Sequence, residues 1–116
     1  LEEALIYAIK EKKIRHIVAA LGLFRKINNW KLLYRLAKES NLTREVGALY
    51  DLARTVIKTR KMPKRFLNCS LPSKNSRFKD IIYRFRSKDF KKIEDRWKVR
   101  LPLNRADLES YTYDIS

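Results

Sequence analysis

Apolar residues recur along this chain with the spacing of helices almost from end to end. Ala4, Leu5, Ala8 and Ile9 share one face of a first helix that ends near the Lys12-Lys13 pair. Ile14, Ile17, Val18 and Leu21 follow the i, i+3, i+4, i+7 template of a second, with Gly22 as its breaker. Asn28 or Asn29 can cap a third helix over Trp30–Glu39, with Leu33, Leu36 and Ala37 inward. Ser40-Asn41-Leu42 forms a short turn, and Thr43 caps a long fourth helix. Val46, Leu49, Tyr50, Ala53 and Ile57 are the apolar stripe of that helix.

The same spacing resumes after a connection over roughly residues 60–75. Ser76 can cap a fifth helix carrying Phe78, Ile81, Ile82 and Phe85. Ser87 can cap a sixth, with Phe90, Ile93 and Trp97 inward and Pro102 ending it. Asn104-Arg105-Ala106-Asp107 resembles a capping box with Asp in the Glu position, opening a last short helix to about Tyr111. No segment shows sustained period-two alternation, so no sheet is expected. The pattern predicts an all-α fold, a compact bundle of about six or seven helices with one long basic connection, forming a single domain over residues 1–116. Short connections make the second, third and fourth helices antiparallel neighbours.

Charge changes the picture from a plain bundle to one that expects a polyanion. The net charge is +15, beyond the roughly 2–8 charges that keep a small domain soluble. A hydrophobic content of 45% argues for a packed core despite that charge. From Arg54 to Lys79 there is no acidic side chain over 26 residues, and there are nine basic ones: Arg54, Lys58, Arg60, Lys61, Lys64, Arg65, Lys74, Arg77 and Lys79. Pro63, Pro72 and the run Ser73-Lys74-Asn75-Ser76 keep much of this stretch from regular helix. A basic segment with no acids repels itself unless an anion sits beside it.

Aromatic residues interleave with these cations in Arg65-Phe66, Arg77-Phe78 and Tyr83-Arg84-Phe85-Arg86. This alternation suits single-stranded nucleic acid, where cations track phosphates and ring faces stack on unpaired bases. Phe78 and Phe85 fit the core stripe of the fifth helix. Phe66 and Tyr83 lie off it and are the stacking candidates, joined by Arg84. Trp30 and Trp97 read as core residues with a wet indole edge.

Catalytic chemistry is not visible. One Cys and one His exclude a disulfide framework and a Cys/His zinc site, and both residues read as structural. There is no Gly-rich phosphate loop, and Glu94-Asp95 reads as solvated surface pairing with nearby cations rather than a metal site. No catalytic or metal-binding residue is therefore assigned. No apolar run reaches the roughly 20 residues of a membrane span and no signal peptide opens the chain, implying a soluble, cytoplasmic protein with no membrane partner. The chain opens inside a helical pattern with no initiator Met, which implies a domain cut from a longer polypeptide. Glutamine is absent and glycine occurs twice, a bias that points to a thermophilic source.

A different reading rests on Leu36 to Val46, which has the outline of a helix-turn-helix: a small Ala37, Asn41 in the turn, and a capped helix beginning with Arg44. Its register is imperfect, because Gly47 falls where a buried Ile or Val is expected. On that reading the chain is a double-stranded DNA-binding regulator. A third reading is a protein-interaction module whose positive face docks an acidic partner.

With these elements laid out, the chain resembles the helix-bundle domain that follows the catalytic core in primase-polymerases of archaeal plasmids. The resemblance is carried by Asn29-Trp30-Lys31-Leu32-Leu33-Tyr34-Arg35-Leu36-Ala37, by Arg60-Lys61-Met62-Pro63-Lys64-Arg65 and by the helix expected from Arg77 to Arg86. It covers essentially the whole chain. It implies binding of single-stranded DNA template and of nucleoside triphosphates, with ATP as a bound substrate nucleotide, with or without Mg2+. It also implies a catalytic primase-polymerase domain of the same chain as partner. The four cysteines of the iron–sulfur relatives are missing, so no cluster is implied.

Overall fold

Four helices fill the first half of the chain where the apolar spacing puts them: α1 (Glu2–Lys10), α2 (Ile14–Leu23), α3 (Trp30–Glu39) and α4 (Thr43–Ala53). The computed structural model describes residues 1–83 and 88–110. Asn29 is the N-cap of α3, its side chain accepting the Leu32 N–H at 3.0 Å. Asn41 takes the left-handed conformation in the turn before α4, as a short polar side chain there allows. Gly22 does not break α2, which runs on to Leu23.

Helix α4 is the centre of the protein. Glu45 through Tyr50, Leu52 and Ala53 are all buried, since α2, α3, a fifth helix and a sixth pack around it. Its expected stripe of Val46, Leu49, Tyr50, Ala53 and Ile57 is buried throughout.

The second half departs from the expected pattern. The connection itself contains a helix, α5 (Lys64–Ser70), bracketed by the two prolines. Pro63 stands before its first turn, whose backbone N–H groups need no helical partner. Leu71, preceding Pro72, is forced into extended backbone and ends it. The fifth helix expected from Ser76 is absent: Lys79–Asp80 is a strand, β1. The expected continuation through Arg84 and Phe85, and Ser87 as the expected cap of the sixth helix, lie outside the described residues.

Helix α6 (Lys91–Trp97) ends before Pro102. Lys98 turns left-handed (φ 55°) and sends the chain into β2 (Val99–Arg100). The two strands pair in parallel, with Lys79 N–H donating to Lys98 O at 2.9 Å and Ile81 N–H to Arg100 O at 3.3 Å. Two-residue strands carry no alternation to detect, so this ladder corrects the expectation of no sheet. The fold nonetheless remains an all-α bundle of seven helices among the described residues. The last of these, α7 (Arg105–Ser110), opens on the expected box: Asn104 Oδ1 accepts from Asp107 N–H at 2.7 Å, and Asp107 Oδ2 accepts from Asn104 N–H at 3.2 Å.

Gly47 and Trp97 lock the halves together. A Cβ on Gly47 would lie 2.2 Å from the Trp97 ring, which is fully buried. The indole N–H donates to Asp51 Oδ2 at 2.6 Å, so Trp97 has no wet edge. Gly47→Ala gains about 1 kcal/mol of helix propensity but forces overpacking of about 3 kcal/mol against a rigid ring. The net is a loss of about 2 kcal/mol, lowering Tm by roughly 8 °C in a thermal melt. An unchanged or higher Tm would mean that the ring does not sit on Gly47.

Candidate nucleic-acid interface

The acid-free run is fastened to α4 at two points, and those anchors decide which cations face outward. Near the end of α4, the Tyr50 hydroxyl accepts the Met62 N–H at 2.7 Å and the Arg54 guanidinium at 2.9 Å. Near its start, Glu45 binds Lys79 Nζ at 2.8 Å, and Lys79 also donates to Asn41 O at 2.7 Å. Lys79 therefore neutralises a buried carboxylate and leaves the set of phosphate-binding candidates. Arg54 lies over its own Tyr50 ring, 5.7 Å from the centroid, with its guanidinium committed there.

Between the anchors, Lys58, Arg60, Lys61, Lys64, Arg65, Lys74 and Arg77 are exposed. Among the described residues no carboxylate pairs with any of these seven. Lys64 and Arg65 stand on the first turn of α5, a rigid position, because Phe66 beside them is buried in an aromatic cluster. The Phe66 ring meets Trp30 at 5.6 Å and Tyr34 at 5.2 Å, both edge to face, and Trp30 meets Tyr50 at 5.5 Å.

Phe66 is thus core and cannot stack on a base, while Phe78 is the ring that reaches solvent. Without a helix at 76–83, Ile81 and Ile82 turn inward and Phe78 is left 38% exposed. The Arg100 guanidinium lies 3.9 Å from its centroid and Lys98 Nζ 5.2 Å. Tyr83 is exposed as well, at 71%. Arg84 lies outside the described residues.

The helix-turn-helix reading fails on burial. A recognition helix must expose the face that enters the groove, and α4 is enclosed. Arg44, which would read bases, instead donates to three main-chain carbonyls, those of Arg77, Trp97 and Lys98. Burial holds its guanidinium below its ordinary pKa. Glu94 is likewise not solvated: it is buried, and its Oε2 accepts the Leu101 N–H at 2.8 Å.

One pocket of about 390 Å³ opens between α3 and α5, lined by Trp30, Lys31, Tyr34, Pro63, Arg65, Phe66 and Cys69. Its lining has three aromatic side chains, two cations and no carboxylate. Among the described residues no group of His, Cys, Asp and Glu could hold a metal ion, and no helix is long and apolar enough to cross a membrane. No family model, curated protein or solved structure matches the chain.

Several groups here were not foreseen from sequence: Lys31, Tyr34, Cys69, Lys98 and Arg100. Trp30 and Tyr34 are one helical turn apart, so their shared face was readable. That Phe66 would close over that face was not, because the helix carrying it is only seven residues long.

Proposed function

We propose that this chain is a non-catalytic module of a DNA primase. It binds single-stranded template DNA and initiating nucleotides such as ATP for primer synthesis in plasmid replication. Nucleotidyl transfer belongs to a catalytic domain of the same polypeptide, and any Mg2+ arrives with the nucleotide. The observation that carries this reading is the row of exposed cations from Lys58 to Arg77, without carboxylate partners among the described residues and flanked by the exposed rings of Phe78 and Tyr83. Cations without carboxylate partners favour a phosphate backbone, and rings at the edge favour unpaired bases over duplex. The enclosed α4 argues against duplex reading, and exposed aromatic groups beside cations add something that an acidic protein partner would not use.

One stacked base is worth about 1–3 kcal/mol, so a single strand should out-compete a duplex of equal length by about tenfold or more. The same pure domain, incubated with template, Mg2+ and labelled ATP, should form no dinucleotide. Equal affinity for duplex would overturn the template reading. Product that scales with domain concentration would overturn the non-catalytic one.

A further inference from the structure

The pocket between α3 and α5 has features that the row of surface cations does not explain. It has a volume within the roughly 300–1,000 Å³ range of small-ligand sites. Its walls are ring surfaces of Trp30, Tyr34 and Phe66, held in mutual edge-to-face contact by the core behind them. Trp30 lines the pocket while only 8% exposed, so its ring is held in place by the core. The exposed cations Lys31 and Arg65 line the same opening, one from each helix.

Resting on the function proposed above, we propose that this pocket holds one nucleotide by its base. The base lies against Tyr34 and the accessible edge of Trp30, with the buried Phe66 as support behind them, and its phosphate bridges Lys31 and Arg65. An acyl chain would fit the rings but would give the two cations nothing to bind. A bare phosphate would meet the cations and leave the apolar walls wet. A nucleobase supplies a flat π surface for the aromatic wall, and its attached phosphate supplies the charge that the two cations need. Arg65 can grip phosphate oxygens bidentately, with Lys31 as a point charge. The nucleotide can come from a free triphosphate or from one residue of the template strand.

Cys69 makes the pocket directly testable, because it is the only cysteine of the chain, is exposed, and lines the opening. The rate of its reaction with a neutral maleimide should fall when the pocket fills. A neutral reagent is needed because a bound polyanion would repel a charged one. At ligand ten times its Kd the open fraction is about a tenth, so the rate should drop about tenfold. ATP and oligothymidylate are tested separately, and protection by either supports the proposal and identifies the source. Lys31→Ala with Arg65→Ala should weaken the protecting ligand about fivefold at 0.1 M salt, the one bridged phosphate being worth about 0.7 decades. Lys92→Ala on α6 removes the same kind of exposed charge and should change it less than about twofold.

Protection by inorganic triphosphate as strong as that by ATP would overturn the placement of a base. Strand binding detected by anisotropy with an unchanged Cys69 rate would overturn the pocket and leave the proposed function standing. Absence of binding to both ligands would end the proposed function and the pocket together.

Discussion

Arg44→Ala should lower the stability of the protein by about 3 kcal/mol and its Tm by roughly 12 °C. Its guanidinium donates to three carbonyls on the two segments that form the strand ladder: Arg77 O before β1, and Trp97 O and Lys98 O before β2. A hydrogen bond to a charged group is worth about 1.5–3 kcal/mol, and three that share one side chain do not add fully. Removing the side chain also frees Lys98, a non-glycine residue in the left-handed region, to relax out of the turn that starts β2. Affinity for a single strand, measured well below the new Tm, should change little, because this cation faces the protein. Loss of DNA binding with no loss of stability would mean that Arg44 reads nucleic acid after all. Arg44→Lys is the informative companion: one ammonium cannot span three carbonyls as a guanidinium fork does, so it should recover only part of the stability.

The first half of the fold was legible because its helices are long enough to show their period. Trp30–Glu39 and the buried stripe of α4 follow from three turns each of regular spacing, with Asn29 and Asn41 marking a start and a turn. Beyond residue 60 the elements shrink to two to seven residues, too short for a period to be distinguished from chance. Phe78, Ile81 and Ile82 have helical spacing, yet the chain there is extended, paired to a strand that begins only after the turn at Lys98. That pairing depends on contacts distant in sequence, including Arg44. It is also why Phe66 and Phe78 exchanged the roles expected of them.

The charge pattern was read more securely than the geometry. Seven of the nine cations of the acid-free run are exposed and unpaired among the described residues. The two exceptions, Arg54 and Lys79, sit where the run is tied to α4. The Arg54–Tyr50 contact is an i, i+4 pair that the helix period allows, whereas no spacing rule connects Lys79 to the buried Glu45. Gly47 carried a signal as well: a glycine on a helix face where a branched residue was expected marks the close approach of another group, here Trp97.

Replacing Arg60, Lys61, Lys64 and Arg65 together with Ala should have the largest effect on binding. At 0.1 M salt, four contacts to a single strand contribute about 0.7 decades each, so affinity should fall several hundred-fold, to about 1/600 of its starting value. All four side chains are exposed, so the melting temperature should hold. The most direct test is the salt dependence of single-strand affinity in the unmodified protein. Four phosphate contacts predict a log–log slope near −2.8, or roughly 50-fold weaker binding for a fourfold rise in salt, and the four-alanine variant should show a much shallower slope. An affinity that does not change with salt, or a slope left unaltered by the four substitutions, would contradict the account.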